Sequence, residues 1–319
     1  MTTSPIFDRD LRLSSPMPQP PSSPSKAPLV SVLITVFNRE HHLRACLASV
    51  LAQTWRDFEV IIVDDASTDG SLGLARALAQ EAGDARVQVY ANERNLGDYP
   101  NRHRAIELAG GRYVKFVDSD DLIYPHSLAI MLAAMQAHPD AALGLCQSAP
   151  ELEQPYPWKL APEAAWRRQF LGRGCLDCGP TGAIFRREVY FEAGGFGHWG
   201  VLSDTDFWYR LSARQPVVLL PPGLVWWRRH EHQEFRRDNA AMVYLQRGFE
   251  LTVASLNSPA CPLSVADRQS ALRRARQHHA RRLLALGLRA RRPAVAWRLW
   301  RAAGLGPAGL WHGLQPYAR

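Results

Sequence analysis

Apolar positions along the chain fall into two alternating patterns. Residues 29–36, LVSVLITV, form an unbroken run rich in β-branched side chains, as expected of a strand buried on both faces, and FEVIIVDD at 58–65 repeats it. Between them Leu43, Cys46, Leu47, Val50 and Leu51 recur at helical spacing within 39–54. The alternation continues with a helix over 71–83, for which Ser67, Thr68 and Asp69 are candidate caps, and a short strand at 86–92. A helix over 100–111 closed by glycines, a strand at 113–118, a helix over 127–139 and a strand at 141–147 follow. Strands alternating with helices predict an α/β fold, a mostly parallel sheet with helices on both faces. Two more helices, 266–287 and 293–303, form a C-terminal helical appendage.

Composition narrows this picture. With 46% hydrophobic residues the chain can build a substantial core, yet no apolar run approaches the ~18–20 residues of a membrane span. Residues 1–28 are rich in Pro and Ser and lack the basic-then-apolar layout of a leader, so they read as a disordered tail, and the cytoplasm is the expected compartment. The five cysteines agree with that. Cys175 and Cys178 form a single CxxC without two further zinc ligands at suitable spacing, and are read as reduced structural thiols. The charge is uneven: from Val265 onward twelve arginines face one acid, Asp267, a net +11, so the remainder carries −3 of the chain's +8. The basic helices, with Leu272, Leu283, Leu284, Leu286, Trp297, Leu299 and Trp300 on an apolar side, suggest contact with an anionic membrane face, with a solvated or domain-packing helix an equal reading and RNA binding a weaker one.

In open α/β sheets ligands gather at the carboxyl ends of strands. Here those ends carry TVFN (35–38), Asp64–Asp65, and Asp118, Asp120 and Asp121 in FVDSDD. Carboxylates this crowded suit a divalent cation with oxygen ligands, Mg²⁺ or Mn²⁺, whose shell is shared with phosphates. Neither a GxxxxGK[ST] loop nor a GxGxxG turn is present at the first strand, which excludes a P-loop nucleotide site and argues against a dinucleotide oxidoreductase.

The blocks VSVLITVFNRE, FEVIIVDDASTDGS, NLGDYPNRHRAIELAGGRYVKFVDSDD and EAGGFG…LSDTDFWYRL, in this order, resemble glycosyltransferase family 2 over residues 29 to about 235. The resemblance implies a GT-A fold and inverting transfer of a sugar from a nucleotide diphosphate, with UDP the favoured carrier. It divides the chain into a tail (1–28), a transferase domain (29–235, its nucleotide-binding half 29–121 and acceptor half 122–235) and a basic helical region (236–319). It assigns Thr35, Phe37 and Asn38 to the base pocket, Asp65 to the base itself, and Arg102 and Asp118 to the nucleotide. His103 stands where the family usually has Asn. Asp120 is implied as the metal ligand, with Asp118 at the ribose or a metal-bound water, Asp121 in support, and Asp64 structural or beside the ribose. Asp204 occupies the position of the general base, preferred over Asp206; Ser203 replaces the usual Glu. His230 aligns with a histidine near metal or diphosphate, with a structural role an equal reading and His232 an alternative. Gly182 and Trp227 are candidates for the acceptor side, although the core is the favoured place for Trp226 and Trp227. The Q-x-x-R-W block of processive synthases is broken at Arg237, so single additions to a glycan or lipid-linked acceptor at the inner membrane face are implied. A nucleotidyltransferase, which would carry a Gly-rich basic loop after the first strand, and a non-catalytic sugar- or nucleotide-binding module are the alternatives.

Overall fold

The computed structural model describes residues 27–151, 154–230, 240–307 and 309. Most of the expected disordered tail, His232 and Arg237 lie outside the described residues. The chain runs β1 (Val30–Val36), α1 (Glu40–Leu51), β2 (Phe58–Asp64), α2 (Ser71–Ala82), β3 (Val87–Ala91), α3 (Asp98–Leu108), β4 (Tyr113–Phe116), β5 (Leu122–Ile123), α4 (Ser127–Ala137) and β6 (Leu143–Cys146). It continues through β7 (Trp158–Leu160), α5 (Pro162–Leu171), β8 (Ala183–Arg186), α6 (Arg187–Glu192), α7 (Ser203–Ser212), β9 (Val217–Leu220) and β10 (Val225–Trp226). Three helices follow: α8 (Ala240–Asn257), α9 (Val265–Leu288) and α10 (Pro293–Ala302).

Eight strands form one sheet in the order β3-β2-β1-β4-β8-β6-β9-β7. The half containing β1 to β4 is parallel, as the buried apolar runs predict; β8 and β7 run antiparallel to their neighbours. The side-chain period of two divides the core. Leu33, Ile61 and Val63 enter one apolar cluster, whereas Val32, Ile34, Val60 and Ile62 enter the cluster on the opposite face. All seven are fully buried, and each such burial stabilises by roughly 1.5–3 kcal/mol. A separate two-stranded ladder pairs β5 with β10. This short ladder brings Arg228 and His230 onto the acidic turn after β4.

The C-terminal helices pack on the sheet-bearing part through α9, which meets α5 and α8, and α10 folds back on α9. The apolar side expected to face a membrane is largely used in this packing. Leu283, Leu286, Leu299 and Trp300 are buried together with Leu245, Ala280 and Ala296, and Leu272 packs against the main core. Trp297, 63% exposed, still faces outward. Among the described residues no helix is long and apolar enough to cross a membrane.

Candidate active site

The loops after β1 and β2 are stitched together. Asn38 adopts a left-handed backbone (φ 54°), its N–H donates to Ser67 Oγ (3.0 Å), and its Oδ1 accepts from the Thr68 amide (2.8 Å). Ser67 and Thr68, expected as caps, therefore serve Asn38, while Asp69 Oδ1 accepts from the Ser71 amide at the start of α2 (2.9 Å). Phe37 stands beside this seam with 44% of its surface exposed, an apolar plane open to a ring. Asp65 is buried and accepts from Asn92 Nδ2 (2.6 Å), the Leu96 amide (2.8 Å) and the Gly97 amide (2.9 Å). It thus fixes the entry to α3, and only Oδ2, with one of these bonds, keeps capacity for a base. Asp64 Oδ2 accepts from the Ser67 amide (2.9 Å), whereas Asp64 Oδ1 is buried without a hydrogen-bond partner. An orphaned buried carboxylate oxygen is costly unless a ligand satisfies it.

Arg102, on the buried side of α3, links the two halves of the site. Its Nε donates to Asp98 (2.8 Å), its Nη2 to Asp118 Oδ1 (2.8 Å), and its buried Nη1 has no partner. The Asp118 amide donates to Thr181 Oγ1 (3.0 Å), on the 3-10 turn that precedes β8. Asp120 Oδ2 meets His230 Nε2 (2.9 Å) and Arg39 Nε (3.3 Å), and Asp121 Oδ1 accepts from the Arg228 amide (3.0 Å). The histidine expected near the metal or diphosphate therefore sits on the expected metal ligand. Burial, and then the charge of Asp118, push Asp121 up to about 7. Lys115, fully buried on β4, donates to the carbonyls of Phe116 and Thr181, and burial pushes its pKa down to about 8. Lys115, Thr181, Arg39 and Arg228 were not singled out by sequence. Only Lys115 carried a signal, as a lone charge inside an apolar strand.

Asp204 lies in the first turn of α7, where its Oδ1 accepts from the Thr205 amide (2.6 Å). It is 8% exposed. Burial raises its pKa to about 6, against the Thr205 amide, the Arg102 charge and the Tyr99 hydroxyl, which all favour the anion. Asp206 has a different task. It pairs with Arg210 (2.8 Å), whose Nη1 and Nη2 donate to the carbonyls of Ala193 and Gly195 (2.6 Å each), fastening α7 to the glycine turn. Gly182 is buried, and a Cβ there would fall 3.0 Å from Cys178 Sγ, so its smallness has a packing reason. The favoured core placement of the tryptophans is corrected: Trp226 and Trp227 are 42% and 49% exposed, β10 being a two-residue strand of a two-stranded ladder outside the main sheet. Arg228 stacks over the Trp226 ring (4.8 Å) and Arg229 over that of Trp227 (5.5 Å). The five cysteines are free thiols.

Asp118 and Asp120 present hard oxygen donors at one strand end. Among the described residues no group of three ligating side chains forms a ready-made cage. Two carboxylates without a closed cage fit an octahedral cation that keeps waters and takes phosphate oxygens.

Comparison with known proteins gives the family and the fold. The profile of a family described as Glycosyl transferase family 2 matches residues 31–192. An Escherichia coli relative, the UDP-Glc:alpha-D-GlcNAc-diphosphoundecaprenol beta-1,3-glucosyltransferase WfgD, is 34% identical over 107 residues, covering 34% of this chain and 41% of the relative. The chain spans between a third and two thirds of the length of three curated relatives that it matches. Among solved structures, S. aureus TarS 1-349 in complex with UDP-GlcNAc superposes with a TM-score of 0.63 at 20% identity, covering 86% of this chain and 79% of that one. The mannosyltransferase PcManGT from Pyrobaculum calidifontis, in complex with GDP-Man and Mn²⁺, gives 0.55 at 19% identity, covering 95% and 88%. The fold is of the GT-A type, with a mostly parallel central sheet flanked by helices.

Proposed function

The chain belongs to glycosyl transferase family 2, and from that premise we propose that it moves a sugar from a nucleoside diphosphate to an acceptor hydroxyl with inversion. The observation that carries this reading is the position of Arg102. It bonds Asp118 directly, and its charge acts on Asp204, so the end of β4 and the start of α7 belong to one cleft. In that cleft Phe37 and Asp65 receive the base, with Thr35 and Asn38 shaping the pocket. Asp64 Oδ1 accepts from the ribose, and Arg102 Nη1 donates to a phosphate oxygen. Asp120 and Asp118, with His230 beside Asp120, would hold Mn²⁺ or Mg²⁺, which when bound stabilises charge on the departing diphosphate.

Asp204 accepts the hydroxyl proton as the acceptor oxygen attacks the anomeric carbon. The C–O bond to the diphosphate breaks on the opposite face. A carboxylate with a pKa near 6 suits this role, because it is ionised at neutral pH yet more basic than an exposed Asp. Trp227, exposed beside the cleft, offers a plane for the acceptor sugar.

UDP as carrier is supported by the UDP-sugars named for WfgD and for the TarS complex, and a lipid-linked glycan acceptor by the diphosphoundecaprenol in the name of WfgD. Action at the inner membrane face follows from such an acceptor. The deciding experiment incubates purified protein with UDP- and GDP-sugars and Mn²⁺. Release of nucleoside diphosphate from at least one donor is expected. Absence of both hydrolysis and nucleoside-diphosphate binding overturns the reading in favour of a non-catalytic module.

A further inference from the structure

Between α7 and the C-terminal helices lies a cavity of about 770 Å³, a size typical of small-molecule sites. Its inner wall is apolar: Leu202, Leu245, Leu251 and Ala271 are buried there, with Phe249 beside them. The polar lining is exposed and carries three arginines, Arg173, Arg274 and Arg282, beside His278, whose pKa burial and then Arg282 push down. Arg173 also pairs with Glu151 (3.3 Å), and Arg274 donates to the carbonyls of Leu171 and Gly172. The one carboxylate in the lining, Asp177, accepts from Gln169 Nε2 (2.7 Å).

A second observation points to an occupant. His279 lines the same cavity, is 3% exposed, and stacks on Phe249 with ring centroids 4.2 Å apart and planes 10° apart. Its Nε2 is buried without a hydrogen-bond partner. Burial, aided by Arg282 and His278, pushes its pKa down to about 4, so the ring is neutral near pH 7 and Nε2 is a neutral polar group facing an incomplete environment.

The cavity is also tied to the chemistry. Thr205 lines it, and the amide and hydroxyl of Thr205 both donate to Asp204 Oδ1 (2.6 and 3.3 Å). A molecule in the cavity therefore touches the residue next to the proposed base.

We propose that this cavity receives the acceptor, a phosphate-bearing amphiphile: the phosphate lies among Arg274, Arg282 and His278, and the apolar part lies against Leu202 and Phe249. The proposal rests on the assignment of Asp204 as base. The phosphate is a handle and is not consumed. The acceptor O–H bond breaks, its oxygen bonds the sugar, the proton passes to Asp204, and the nucleoside diphosphate leaves. Guanidinium–phosphate pairs give affinity and orientation, and the apolar wall selects an amphiphile over a free anion.

Calorimetric titration of the full-length protein tests this with dodecyl phosphate below its micellar concentration and, separately, with inorganic phosphate. Saturable one-to-one binding of dodecyl phosphate is expected, about tenfold or more tighter than inorganic phosphate. The double variant Arg274→Gln, Arg282→Gln, altered only at exposed positions, weakens it by about tenfold or more. His279→Phe, which keeps the stack on Phe249, weakens it by about fivefold. UDP binding with Mn²⁺, measured on the same proteins, is unchanged. Absence of saturable dodecyl phosphate binding, equal affinity for the two probes, or affinity unchanged in both variants overturns the assignment. Failure of the wild-type protein to bind UDP counts separately, against the transferase reading.

Discussion

Replacing Asp204 by Asn should abolish transfer and at the same time stabilise the protein. Burial raises the Asp204 pKa from 3.8 to about 6, which means that the folded protein holds this carboxylate's proton more tightly than the unfolded chain does. The sign follows from linkage: the stability tied to the proton is full below the unfolded value and is lost as pH rises through about 6. At neutral pH the ionised carboxylate is therefore a burden on folding. At about 1.36 kcal/mol per pKa unit, its full size is on the order of 3 kcal/mol. Asn removes the charge, and its Oδ1 can still accept from the Thr205 amide. Thermal unfolding at pH 7.5 should shift upward by roughly 4–6 °C for a chain of this size. The gain should shrink to roughly half by pH 5 and nearly vanish only near pH 3, below the unfolded value, where the wild-type carboxylate is protonated in the fold and largely so in the unfolded chain. Transfer by the variant should fall by about 10²–10⁴, the usual contribution of a positioned base. A variant less stable than wild type, or a gain independent of pH, would refute the electrostatic argument; near-normal transfer would remove Asp204 from the role of base.

In the wild-type protein, transfer under subsaturating donor and acceptor should decline below about pH 6 with unit slope, and a profile flat to pH 5 would contradict the same assignment. Asp120→Asn should remove Mn²⁺-dependent strengthening of UDP binding, read by thermal shift with and without the metal; an undiminished metal effect would move the cation elsewhere. Lys115→Met should destabilise by roughly 1–3 kcal/mol in chemical denaturation, since it leaves the carbonyls of Phe116 and Thr181 without their donor. Trp297→Ala should reduce sedimentation with anionic vesicles, because Trp297 is the large apolar side chain that α10 leaves outside its packing; unchanged sedimentation would end the membrane role proposed for this helix.

What the sequence makes legible, and what it hides, divides by range of interaction. The runs at 30–36 and 58–64 announce buried strands because both of their faces are covered, so no polar alternation obscures them. β8 is four residues long inside a glycine-rich stretch, and β5 and β10 are two residues each. Their existence depends on partners far along the chain, which local periodicity does not report. The same holds in the site. Asp118 and Asp120 can be picked out as acids at a strand end, and Asp204 only through the resemblance to the family. Their surroundings cannot: Thr181 meets Asp118 across 63 positions, and His230 meets Asp120 across 110. Asp206 is separated from Asp204 by a local feature, Arg210 one turn later, which takes Asp206 into an ion pair.

The crowding of Asp118, Asp120 and Asp121 takes on a different meaning once those surroundings are known. Each carboxylate has its own compensation: Arg102 for Asp118, Arg39 and His230 for Asp120, and the Arg228 amide for Asp121. Asp121, pushed up to about 7, can also relieve repulsion by carrying a proton. Folding of the acidic turn therefore does not depend on a cation. A cation can take Asp120 through Oδ1, or share Oδ2 with Arg39 and His230. Arg39 follows Asn38 directly and His230 lies just after the exposed tryptophans, so Asp120 ties the segment after β1 to the segment after β10.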